Sequence, residues 1–373
     1  MREFLMVLLT AAVVTYLATP LVRRLALAVG AMTAVRDRDV HSVPIPRLGG
    51  LAMLLGFAAA VVLGSRLPYH GQLFDSTPAL YGVLAAAVVI TLLGAVDDVR
   101  DLDWLTKLAG QVLAGGVMAF FGVRLLQLPI LGVTVLPEPV MVALTILVVV
   151  ISTNAVNFID GLDGLAAGVV LIAASAFFAW CYLVSRAFDP PNVFHVATFI
   201  SAALIGVCLG FLPHNFHPAR LFMGDAGALL LGLLLAASTI SMTGAVDPSS
   251  SVATASAATA ILLPLLIPLA IMALPFLDIV LAVLRRTRAG QLPWKPDRGH
   301  LHHRMLDIGH SHRRAVVLLY LWSGLIALGA VSFAYLPVWV SVAGIVLLLV
   351  IAVALTWRPA RPGRTHSSVP QRL

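Results

Sequence analysis

The sequence predicts an all-α, polytopic membrane protein of about eleven spanning helices, N-terminus outside and C-terminus in the cytoplasm. Three observations carry that expectation. The 373 residues are 60% hydrophobic and 11% charged, with a mean hydropathy of +0.99, whereas soluble domains carry roughly 25% charged residues. Apolar runs of about 20 residues, enough to cross a bilayer at 1.5 Å rise per residue, recur along the whole chain. The 24 Lys and Arg residues fall in short segments between those runs.

The runs cover 3–22, 49–66, 79–96, 107–123, 139–156, 163–185, 195–213, 226–244, 257–284, 315–335 and 337–356. The first begins after Arg2 and reaches Val22 without a small-residue cleavage site, so it reads as a helix rather than a signal peptide. The fourth is the shortest, and Leu336-Pro337 alone divides the last two. Pro264, Pro268 and Pro275 predict kinks in the ninth. Residues 1–356 thus form one transmembrane domain, with loops at 22–48, 97–107, 154–163, 214–225 and 285–314; 357–373 is a basic, disordered tail.

Charge sets the orientation. With the C-terminus inside, 20 of the 24 basic residues lie on the cytoplasmic side, and only Arg2, Arg66, Arg124 and Arg186 lie outside. The net charge of +7 is therefore a topology signal, and a nucleic-acid partner is excluded. Cys181 and Cys208 lie inside apolar runs and offer no disulfide or zinc framework. The acids follow the same side: Asp37, Asp39, Asp97, Asp98, Asp101, Asp103, Asp160, Asp163, Asp225, Asp297 and Asp307 all fall inside, with Asp278 about two turns from that face. No ionisable residue falls near a span centre, and no inverted repeat is visible, which argues against a transporter.

Five cytoplasmic segments carry concentrated polar residues. Val40–Gly50 holds two prolines, Arg47 and a Gly pair. Asp97-Asp98-Val99-Arg100-Asp101 places adjacent carboxylates at a helix end, with Lys107 following; such a pair requires a raised pKa or a shared cation, unless it is a solvated terminus. In Asn154–Gly164, Asn154, Asn157 and Asp160 step by three and share a helix face, with Asp163 further round. Buried amides and carboxylates need partners, supplied by a metal, a polar substrate or a structural network. Asn215 precedes Arg220-Leu221-Phe222-Met223-Gly224-Asp225-Ala226-Gly227, where Asp225 reads as a ligand or as an N-cap. His300-Leu301-His302-His303-Arg304 suits a metal or, with Arg298, phosphate.

Together these segments resemble the polyprenyl-phosphate N-acetylhexosamine-1-phosphate transferases (glycosyltransferase family 4 type), from about residue 36 to 314. The resemblance rests on Asn-Ala-x-Asn-x-x-Asp-Gly-x-Asp-Gly, on Met-Gly-Asp-x-Gly downstream and on the His-x-His-His loop. Leu301 interrupts the histidines, as in the subgroup using UDP-N-acetylglucosamine; the UDP-N-acetylmuramoyl-pentapeptide subgroup carries three consecutive histidines. The resemblance implies a Mg²⁺-dependent enzyme, with Mn²⁺ able to substitute. It makes Asp225 a metal ligand with Asn157 beside it, and Asp97, Asp98 and Asp160 catalytic carboxylates. Phe222 matches an aromatic that stacks on uracil, and Asn215 and Asp163 match nucleoside-pocket residues. Lys107 matches a lysine near the phosphates. Arg47, Asn154 and the loop of His300, His302, His303 and Arg304 complete the substrate-binding set. Ala228 departs from the family's usual Ser, a small change beside a retained Asp225.

The implied reaction joins polyprenyl phosphate to the sugar phosphate of a UDP-sugar, releasing UMP, at the cytoplasmic face of the bacterial inner membrane. It would open a cell-envelope polysaccharide pathway. The implied partners are the UDP-sugar, the polyprenyl phosphate and the bilayer, with homodimerisation left open. Direct attack by the lipid phosphate is expected, since its second pKa is about 6 and it needs little activation; an aspartyl-linked intermediate is the alternative. A lipid or nucleotide-sugar transporter and a non-catalytic membrane scaffold are the rival classes.

Overall fold

The structure, a computed structural model, describes residues 1–33, 44–126, 137–187, 196–243, 287–288, 309–333 and 335–357. Among them lie the helices α1 (Arg2–Val29), α2 (Gly49–Gly64), α3 (Pro68–Ser76), α4 (Ala79–Arg100), α5 (Trp104–Phe120), α6 (Glu138–Ile159), α7 (Leu165–Ala187), α8 (Val196–Asn215), α9 (Gly224–Thr243), α10 (His312–Ser332) and α11 (Val338–Trp357), and no strand. Eight of these helices are long and apolar enough to cross a membrane, or nine if α2 and α3 count as one bent span. The expected ninth span, 257–284, lies outside the described residues.

Two elements differ from the expected runs. The run at 49–66 stops at Gly64, and Pro68, in the first turn of the short α3, turns the chain by 98°. Glu3 holds that turn by accepting from the Tyr69 and His70 N–H groups at 3.2 and 2.9 Å. The run at 107–123 begins earlier, at Trp104, because Asp103 caps it through the Leu105 and Thr106 amides at 2.9 and 3.0 Å. The break at Pro337 falls where expected, between α10 and α11.

Helix α9 is the axis of the bundle, packed by α2, α4, α6 and α8. Of its apolar stretch 89% is buried, against 11% for α11, which lies at the rim on α10. Lipid tails are as apolar as leucine, so small residues that allow close packing drive helix association. Gly206 and Gly210 show this: a Cβ on either would lie 2.2 or 2.3 Å from a carbonyl oxygen of α1. Both cysteines are buried and free, as expected.

Candidate active site

The site forms where helix ends of opposite polarity meet. The C-terminal ends of α4 and α6 and the N-terminal ends of α2, α5 and α9 share one end of the bundle, and glycines let their backbones touch. A Cβ at Gly94 of α4 would lie 2.4 Å from the Ala226 nitrogen, and one at Gly50 of α2 would lie 2.2 Å from that of Gly227. Main-chain bonds lace the entries to α2 and α9 together. Gly49 N–H and Gly50 N–H donate to Phe222 O and Met223 O at 3.0 and 2.9 Å, and Phe222 N–H donates to Pro46 O at 2.9 Å. These bonds fix the Phe222 backbone, whose side chain is half-buried.

Lys107 Nζ lies between two carboxylates, 2.6 Å from Asp97 Oδ2 and 3.1 Å from Asp225 Oδ2. Asp225 Oδ1 accepts from Asn157 Nδ2 at 2.9 Å. Asp97 Oδ1 accepts from Leu102 N–H at 2.7 Å. Asp98 is fully enclosed: Oδ1 accepts from Asp225 N–H at 3.0 Å and Oδ2 from Ala226 N–H at 3.2 Å. Arg47 approaches Asp98 only to 4.0 Å and stays 38% exposed. Asp160, which ends α6, is half-buried; desolvation first, then the Asp225 and Asp98 charges, push its carboxyl up to about 7.

Carboxylates therefore outnumber cations here: Asp97, Asp98, Asp160 and Asp225 face Lys107 and a distant Arg47. The Lys107 ammonium occupies the place between Asp97 and Asp225 that a counter-ion takes. An oxygen-rich set with surplus negative charge fits a hard divalent cation of the Mg²⁺ class, which binds through one or two carboxylates plus substrate phosphates. Asp225 keeps 24% of its side-chain surface open, enough for such contact.

A second polar cluster lies beside the first, on the loops after α6 and α8 and the start of α10. The Asp163 carboxylate, nearly fully buried, pairs through Oδ2 with His217 Nδ1 at 2.8 Å and accepts from Ala219 N–H at 3.1 Å. Asp163 N–H donates to His312 Nε2 at 3.1 Å. Asn215 bridges the same loops, accepting from Gly164 N–H at 3.0 Å and donating to Leu221 O at 3.1 Å. Tyr320 Oη donates to Gly164 O at 2.5 Å. The Asp163, His217 and His312 ligand atoms lie within 4.8 Å of one another. Yet the imidazoles stack at 4.2 Å and 18°, so their lone pairs lie in nearly parallel, separated planes, a poor arrangement for both to bind one ion. This cluster is built as a staple between loops.

The structure thus brings Arg47, Asp97, Asp98, Lys107, Asn157, Asp160 and Asp225 to one place, and Asp163 and Asn215 to a neighbouring one. Asn154, one turn before Asn157, joins α6 to α5: Nδ2 donates to Gln111 Oε1 at 2.9 Å and to Val150 O at 2.8 Å. His300, His302, His303 and Arg304 lie outside the described residues. Sequence reasoning missed Gln111, His217, His312 and Tyr320. Gln111 carried a signal, one helical turn past Lys107 in an apolar run. His217, two residues after Asn215, carried a weaker one.

Comparison with known proteins identifies the family. Residues 80–243 match the model of glycosyl transferase family 4. The chain is 45% identical over 363 residues to decaprenyl-phosphate N-acetylglucosaminephosphotransferase of Mycolicibacterium smegmatis, covering 96% of this chain and 89% of that protein. It is 30% identical over 357 residues to undecaprenyl-phosphate alpha-N-acetylglucosaminyl 1-phosphate transferase of Escherichia coli O157:H7, covering 91% and 88%. A phospho-N-acetylmuramoyl-pentapeptide-transferase of Desulforudis audaxviator is 35% identical over 242 residues, covering 59% of this chain and 70% of that protein. With the acid-rich helix ends in place and the N-acetylglucosamine-transferring relatives matched over 88–89% of their length, the chain belongs to the polyprenyl-phosphate N-acetylglucosamine-1-phosphate transferase family.

Proposed function

We propose that the protein transfers N-acetylglucosamine-1-phosphate from UDP-N-acetylglucosamine to polyprenyl phosphate, giving polyprenyl-diphosphate-N-acetylglucosamine and UMP. The observation that carries this reading is the Lys107 ammonium between Asp97 and Asp225. Both substrates are anionic, so charge neutralisation is the main task of such a site. The GlcNAc donor is favoured over the muramoyl-pentapeptide donor because the GlcNAc-transferring relatives align over 88–89% of their own lengths and the pentapeptide relative over 70%.

In the reaction a non-bridging oxygen of the lipid phosphate attacks the β-phosphorus of the donor. The bond from that phosphorus to the oxygen bridging to the α-phosphate breaks, and UMP departs with the bridging oxygen and its electron pair. Asp225, with Asn157 beside it, would hold Mg²⁺ or Mn²⁺, which supplies positive charge to the diphosphate oxygens. Lys107 holds the donor phosphates, and Asp97 orients Lys107. Both Asp97 oxygens are engaged, by Leu102 N–H and by Lys107, which favours direct attack over an aspartyl nucleophile. Asp163, Asn215 and Phe222 line the nucleoside end, and Asp160 lies beside the metal position. Arg47 and the segment carrying His300, His302, His303 and Arg304 add cationic and hydrogen-bonding groups for the phosphates.

The whole chain would cross the bacterial cytoplasmic membrane eleven times, N-terminus out and C-terminus in, with the site at the cytoplasmic interface; about twenty apolar residues per span and the basic-residue bias support this. A polyprenyl tail stays in the bilayer and a UDP-sugar stays in water, so their phosphates meet only at that interface. Release of UMP from UDP-N-acetylglucosamine, with Mg²⁺ withheld and then restored, tests the reading. Metal-restored UMP release that needs polyprenyl phosphate supports it; preference for the muramoyl-pentapeptide donor in direct competition overturns the donor assignment.

A further inference from the structure

Asp98 stands apart from the other carboxylates. Its side chain has no exposed surface, whereas Asp225 keeps 24%. Both oxygens face α9, accepting from the Asp225 and Ala226 amides at 3.0 and 3.2 Å. First-turn amides have no acceptor within their own helix. Asp98 satisfies them from α4, doing across a helix interface what an N-cap side chain does locally. When ionised, it also faces the positive end of the α9 dipole.

The backbone is shaped for this contact. Gly224 has φ +67°, and a Cβ there would lie 2.1 Å from Asp98 Oδ2. Gly94, one turn before Asp98, lets α4 reach the amides, since a Cβ would lie 2.4 Å from Ala226 N. The Asp225 side chain leaves the residue whose N–H Asp98 grips, so the grip sets the origin from which that carboxylate reaches Lys107 and Asn157.

We propose that Asp98 is a positioning residue that caps α9 and thereby aims Asp225, and that it takes no part in proton or phosphoryl transfer. This rests on the reading of Asp225 as a metal ligand. Removing a group that orients a metal ligand costs about 10–100-fold in metal affinity or activity, whereas removing a general base costs about 10²–10⁴ in rate whatever the metal concentration.

The test uses the full chain in detergent, following UMP release from UDP-N-acetylglucosamine and polyprenyl phosphate against Mg²⁺ at several pH values. In D98A and G224A the Mg²⁺ concentration for half-maximal activity should rise about 10–100-fold. Turnover at saturating Mg²⁺ should stay within about tenfold of wild type, and the acidic limb of the pH–rate profile should keep its midpoint. D98N, which retains one acceptor oxygen, should fall between wild type and D98A; it and G224A decide the matter if D98A does not fold. The proposal is overturned if Asp98 variants lose about 10³-fold or more at saturating Mg²⁺ while G224A behaves as wild type, or if D98N shifts the pH midpoint. Mn²⁺ binding by D225N separates the two readings. Wild-type affinity there overturns the metal assignment itself, whereas loss of Mn²⁺ in D225N with wild-type affinity in D98A and D98N overturns only the positioning role.

Discussion

Two polar clusters lie side by side at one end of this bundle, and they are built differently. The Asp97–Lys107–Asp225 cluster sits on helix termini of α4, α5 and α9, held by glycine-mediated backbone contact. It carries more carboxylates than cations and leaves part of Asp225 and Lys107 open. The Asp163–His217–His312 cluster sits on loops and at the start of α10, with its carboxylate nearly fully buried and its rings stacked. The first has unspent negative charge on a rigid frame, as metal and diphosphate chemistry requires. The second joins the loops after α6 and α8 to the start of α10 through paired and stacked polar groups.

The two clusters should differ most at Asp225. Asp225→Ala should lower turnover by about 10³-fold or more, with no recovery at high Mg²⁺, since it would remove the proposed ligand itself; UMP release against Mg²⁺ reads this. Lys107→Ala should lower turnover by about 10²–10³-fold, the usual cost of losing one preorganised charge at a reacting centre. In the second cluster, His312→Ala should act on the other parameter, raising the donor KM about tenfold with little change in kcat. A fall in kcat alone there would erase the distinction between the clusters.

Asp160 gives a finer test through pH. Its folded-state pKa, about 7, lies above the unfolded value of roughly 3.9. The folded protein therefore holds the extra proton between those values, and this group's contribution to stability falls as pH rises through that window. In metal-free protein, Asp160→Asn should raise the melting temperature over wild type, by a margin that grows from pH 4 to about 7 and levels off above. A margin that shrinks with pH would contradict the assigned direction. The smallest effect belongs to Gln111→Ala, which removes the bond to Asn154 one helical turn from Lys107 and Asn157; it should cost about 1 kcal/mol of stability and leave the Mg²⁺ dependence unchanged.

Most helices were legible in the sequence because a span needs a run of apolar residues, and the observed spans sit on those runs. Their arrangement was not legible. Helix α9 has a hydropathy of 1.7 and is 89% buried, while α11 has 2.9 and is 11% buried. In a bilayer, hydropathy reports contact with lipid as well as with protein, so it does not rank helices by centrality. The bend at Pro68 and the Asp103 cap were likewise local details inside recognisable segments. Of the candidate site, Asp97, Lys107, Asn157 and Asp225 stood out as charged or amide groups in an apolar chain. Their pairing was invisible, because Lys107 and Asp225 are 118 residues apart. His217 and His312 were missed because single histidines near helix ends carry no pattern until the fold stacks them.

The contrast between the clusters is tested most directly by equilibrium Mn²⁺ binding to the full chain in detergent, followed by electron paramagnetic resonance, for wild type, Asp225→Asn and Asp163→Asn. Asp225→Asn should weaken Mn²⁺ binding at least about tenfold, while Asp163→Asn should bind as wild type does. Undiminished binding in Asp225→Asn, or its loss in Asp163→Asn, would contradict that contrast.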